Sequence, residues 1–98
     1  MKNIYKALPP LKGERFRRLL KLKNVVIEEI VSSGKIKDKV YIQRQDEWAV
    51  IIRGGANLRL GNRTVKMKRG DSVFIKKGLR HQILNVRGGT IWLAVHVF

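Results

Sequence analysis

A carboxylate, two imidazoles, an amide and a phenol fall at positions of this chain where a polar side chain would turn inward. Glu47 shares strand parity with Ala49 and Ile51 in the run EWAVIIRGG, so its carboxylate points the same way as two apolar side chains. Tyr41 and Gln43 share that parity a few residues upstream. The pair Gly88-Gly89 tolerates the positive φ angles of a two-residue hairpin loop. A hairpin there sets Asn85 opposite Trp92, Ile83 opposite Ala94, and His81 opposite His96, the only two histidines. Cross-strand Cβ atoms lie about 4.5 to 5.5 Å apart, within reach of a shared ion. Two imidazoles, one carboxylate and an amide oxygen suit Fe, Mn, Ni or Zn better than Mg or Ca. Gln43, Glu47, His81 and His96 are therefore the candidate metal ligands, and Tyr41 and Trp92 the candidate pocket walls. The simpler alternatives are a rim salt bridge for Glu47, a backbone hydrogen bond for His81, a satisfied buried ring for His96, and core packing for Trp92, as for Trp48 and Phe74.

Short β-rich stretches must carry these residues. From Val25 onward, runs such as VVIEEIVSSG, EWAVIIRGG, SVFIKKG and TIWLAVHVF recur about every ten residues, with glycine-containing turns between them. That spacing predicts an all-β sandwich or barrel. Around Gly61-Asn62, Leu60 faces Arg63, Leu58 faces Val65 and Ala56 faces Met67. One face is then apolar, and the other carries Asn57, Arg59, Thr64 and Lys66. The segment ERFRRLLKL from Glu14 places Phe16, Leu19 and Leu20 at i, i+3 and i+4, which predicts a short amphipathic helix. Pro9 and Pro10 precede it, and Lys35, Lys37 and Lys39 form an alternating basic loop. The expected division is an N-terminal arm over residues 1–23 and a barrel over 24–98.

The stretch GDSVFIKKGLRHQILN resembles the second sequence motif of the cupin family. Gly70, Gly78, His81 and Asn85 fall in place, and Lys76 stands where that motif has proline. Glu47, six residues and Gly54 resemble the end of the first cupin motif, and the fifteen residues between Gly54 and Gly70 resemble a short inter-motif segment. The resemblance covers residues 34–96 and is closest to small single-domain cupins of unassigned function. It implies a double-stranded β-helix (jelly-roll) barrel with metal ligands at Gln43, Glu47 and His81. Tyr41 and Gln43 stand where the family's His-x-His pair would be, and amide and phenol oxygens are weaker ligands than imidazole. His96 belongs to neither motif and is nominated by the hairpin register alone.

At 98 residues the chain holds one core at most, which excludes separate cofactor and substrate modules. The absence of cysteine removes disulfides, thiolate metal sites and thiol catalysis. No apolar run approaches the roughly 20 residues of a membrane helix, and no secretory signal opens the chain, so the expected location is cytoplasmic. Lys and Arg number 22 against seven Asp and Glu, a net charge of +15. That field predicts salt-sensitive, nonspecific adhesion to nucleic acid. Both faces of IWLAVHVF are apolar and need cover, which predicts a homodimer. The expected function is binding of a divalent metal and a small molecule, an anion among the candidates, inside the barrel. As an enzyme it would be a metal-dependent oxygenase or isomerase. The alternatives are a metal-free binding or sensing module and a basic nucleic-acid-binding barrel.

Overall fold

Nine strands form two facing antiparallel sheets in the computed structural model, which describes residues 1–36 and 39–98. A 3-10 turn, Ile4–Lys6, precedes them. The strands are β1 Glu14–Leu22, β2 Val25–Ser32, β3 Val40–Tyr41, β4 Asp46–Arg53, β5 Gly55–Leu60, β6 Arg63–Lys68, β7 Ser72–Ile75, β8 His81–Val86 and β9 Ile91–Val97. One sheet has the order β1-β2-β9-β4-β7 and the other β3-β8-β5-β6. This is the jelly-roll arrangement of a cupin barrel. Among the described residues no helix is long and apolar enough to cross a membrane. Lys37, part of the expected basic loop, lies outside the described residues.

Alternation builds the core. Ala49 and Ile51 of β4 meet Ala94 and Trp92 of β9, and this layer packs on Ala56, Leu58 and Leu60 of β5 and on Met67 and Val86. The hairpin at Gly61-Asn62 has the expected register, with Leu58 opposite Val65 and Ala56 opposite Met67. Gly61 adopts φ 59°, the left-handed region that such a loop requires.

Two expectations are corrected. Residues 14–22 are strand β1, paired with β2, and not a helix. The register slips between Arg18 and Leu20, a bulge that turns the residues after it to the opposite face. Before the slip Glu14 and Phe16 face inward, and after it Leu20 and Leu22 face outward, so the alternation is broken and resembles helical spacing. Pairing also satisfies the backbone along one side of β2, which a packed helix would leave open.

The Gly88-Gly89 turn does not close a hairpin. Thr90 N–H donates to Arg87 O at 3.1 Å, but the chain then crosses to the other sheet. The neighbours of β8 are β3 and β5, and those of β9 are β2 and β4. His81 therefore lies opposite Tyr41 and Leu60, while His96 lies opposite Glu47 and Val26. The turn is clamped from the other side, because Gly89 N–H donates to Ser32 O and a Cβ on Gly88 would sit 2.9 Å from Ser33 O. Two glycines permitted a tight hairpin without requiring one.

Candidate small-molecule cavity

The inward faces of the two sheets leave a cavity of about 120 Å³. Tyr41, Gln43, Glu47, His81, Trp92 and His96, the six candidate site residues, all line it. Its deeper wall is apolar and includes Ala49, Leu58, Ile75 and Trp92. Two further carboxylates, Glu14 and Glu28, join Glu47 in the lining, and among the described residues no lysine or arginine does.

Each element delivers its polar group for a local reason. Glu47 is the first inward position of β4, ahead of Ala49 and Ile51, and is 8% exposed. Gln43 Nε2 donates to Glu47 Oε1 at 3.0 Å, so the bend before β4 folds back over the carboxylate. On the opposite sheet, the Tyr41 and His81 rings stack with centroids 5.5 Å apart. His81 Nδ1 lies 3.1 Å from Leu79 O, so Nδ1 carries a proton and donates to that carbonyl. The Trp92 indole donates to Ser32 Oγ at 3.3 Å.

His96 sits between carboxylates on either side. Its Nε2 lies 3.2 Å from Glu28 Oε1, and its Nδ1 lies 3.2 Å from Gln45 Nε2 and 3.8 Å from Glu47 Oε1. The hydrogen bond to Glu28 holds the imidazole above its ordinary pKa; burial opposes this, and the charges of Glu47 and Glu28 reinforce it. Burial pushes the Glu14 carboxyl up, partly offset by the Ser32 hydroxyl that donates to it at 2.7 Å, while the charge of Glu47 raises it further. Burial likewise raises the Tyr41 phenol, helped by Glu14 and Glu47. All three shifts report a cavity that favours positive charge or retained protons.

A resident metal ion does not fit these donors as they stand. No group of three or more His, Asp or Glu among the described residues is placed to hold one. Both ring nitrogens of His96 already have partners, and Gln43 offers Glu47 its NH2 while a metal would need its oxygen. Glu14 and Glu28 were absent from the candidates read off the sequence. Glu28 was within reach, because it shares parity with Val26 and Ile30 in an apolar run. Glu14 was hidden by the helical reading of its segment.

The sequence pattern of the cupin domain matches residues 28–96. Among solved structures, one from Ralstonia eutropha, assigned provisionally as a mannose-6-phosphate isomerase, is 30% identical. It aligns with a TM-score of 0.87 over 99% of this chain and 96% of its own. An RmlC-like cupin from Shewanella frigidimarina is 14% identical with a TM-score of 0.79, covering 93% of this chain and 82% of that one. A Thermus thermophilus protein is 17% identical with a TM-score of 0.80, covering 99% and 95%. Among curated proteins none matches significantly.

Proposed function

The chain belongs to the cupin family, and from that premise we propose that it binds a small organic molecule directly, without a metal ion, in the cavity between its sheets. The observation that carries this reading is the cavity itself, in which an apolar wall is capped by polar groups that already hold one another in place. A concave apolar pocket with a few convergent polar groups is the usual form of a small-molecule site. Ligand-observed NMR with a mixture of small neutral and charged fragments tests it. Binding should be saturable, and it should be lost in Ala49→Leu, which fills the cavity, while the variant still melts cooperatively. Elemental analysis of untagged protein, repeated for Glu47→Ala and His81→Ala, tests the metal-free part. Stoichiometric metal that disappears in those variants would overturn it.

The partner reading is a homodimer formed by the outer face of the five-stranded sheet. Leu20, Leu22, Trp48, Phe74 and Val97 are exposed there, over β1, β9, β4 and β7, with Ile27 and Val95 between them. A stable interface buries about 800 Å² per partner, and an apolar face five strands wide offers surface of that order. The N-terminal segment covers only the other part of this face, where Arg17 reaches Asn3 O and Tyr5 lies under Arg53. The basic exterior adheres to polyanions through charge alone.

A further inference from the structure

The carboxylate of Glu47, almost fully buried in the cavity lining, keeps one acceptor oxygen without a partner among the described residues. Glu47 and His81 are both at least nine-tenths buried. Among the described residues, Glu47 Oε2 has no hydrogen-bond donor, since Gln43 serves only Oε1, and His81 Nε2 has no partner. The second oxygens of Glu14 and Glu28 are likewise free. Three carboxylates of one cavity with acceptor oxygens to spare are complemented by a donor-rich, positively charged group. Glu14 and Phe16 lie outside the residues 28–96 matched by the cupin pattern; part of the acidity thus comes from the strand ahead of that segment.

A second cavity of about 470 Å³ opens beside the first and shares Glu14, Phe16, Tyr41 and Ile83 with it. Its outer wall carries Lys12, Lys35 and Lys39. The lysines beside the carboxylates and the net charge of +15 both disfavour a simple cation, whereas a molecule with charges of both signs meets a complement in each cavity. Resting on the small-molecule reading above, we infer that the ligand is a zwitterion. Its ammonium group sits among Glu14, Glu28 and Glu47, an apolar middle lies along Phe16 and Ile83, and its anionic end rests at the lysines.

Calorimetric titration with 6-aminohexanoate, hexylamine, hexanoate and hexanol in chelator-containing buffer tests this. 6-Aminohexanoate should bind about tenfold or more tighter than each of the other three, the worth of one good charged contact. Glu47→Gln and Glu14→Gln should each weaken 6-aminohexanoate and hexylamine by about tenfold and leave hexanol unchanged. The double variant Lys12→Gln/Lys35→Gln should weaken 6-aminohexanoate and spare hexylamine. If hexanol binds as tightly as 6-aminohexanoate, or hexanoate binds more tightly, the zwitterion inference is overturned while the cavity reading stands. If none of the four binds, both fall.

Discussion

The two sheets share an apolar core on their inner faces, to which only the five-stranded sheet adds carboxylates, and send opposite kinds of residue outward. On the outside of the four-stranded sheet, Asn57, Arg59, Thr64, Lys66, Lys68, Gln82 and Asn85 fall on one face, with no acidic side chain among them. On the outside of the five-stranded sheet, Val95 and Leu93 of β9 lie between Ile27 and Glu29 of β2 and Trp48 and Val50 of β4. Burial against the partner sheet fixes the inner faces alone; each outer face is free to record what it meets. One is polar and basic, and the other is largely apolar though exposed. The acidic residues follow the same division. Glu14, Glu28 and Glu47 line the cavity, and Glu29 is buried with Arg17 at 2.9 Å, the single Lys or Arg ion pair among the described residues. Asp46 and Asp71 accept backbone N–H groups at strand ends. The exterior positive charge is left almost without internal neutralisation.

The most damaging way to break this contrast is to strip the one Lys or Arg ion pair among the described residues from the apolar face. Arg17→Ala leaves Glu29, 2% exposed, without its partner. It should cost about 3 kcal/mol in chemical denaturation, the low end for a buried pair because Arg17 is itself partly exposed. Making the apolar face resemble the basic one comes next. Trp48→Lys with Phe74→Lys places two opposed like charges on neighbouring strands. The dissociation constant of the proposed dimer should rise about 100-fold or more by light scattering while each protomer stays folded.

A smaller effect concerns pH. His96 has a folded-state pKa above its unfolded value, so its contribution is full below about pH 6.5 and is lost as pH rises through the folded value. Glu14 is also raised, so in the acidic range its contribution too is lost as pH rises. Melting temperature should therefore fall between pH 6 and 9 on account of His96, and His96→Gln should flatten that slope. The mildest test touches the basic face. Arg59→Ala and Lys66→Ala should each reduce the slope of log affinity for duplex DNA against log salt by about one if they meet phosphates, with no change in melting. The same two changes made at Arg18 and Lys21, on the other sheet, should alter the slope less.

Much of the fold was legible because alternation is local. The register at Gly61-Asn62 needed only two glycine-tolerant positions and six flanking residues, and the inward aim of Glu47 needed only Ala49 and Ile51. The glycine, histidine and asparagine spacing from Gly70 to Asn85 carried the family resemblance by the same local means. Reading failed where a single residue changed the rule. The slip before Leu20 disguised a strand as a helix and concealed Glu14 with it. The Gly88-Gly89 turn could serve a hairpin or a crossover, and the choice fell to Ser32, Ser33 and Gly34, more than fifty residues away in sequence.

The chain's sequence by itself determined which side chains face inward on most strands, the charge of the exterior, and the absence of thiol chemistry, because these depend on neighbours one or two residues apart. Tertiary structure alone decided that His96 meets Glu28 and Glu47 while His81 meets Tyr41, and that Glu14 joins the cavity. Those contacts join strands far apart in the chain, and which strands become neighbours is settled only when the two sheets close on a common core.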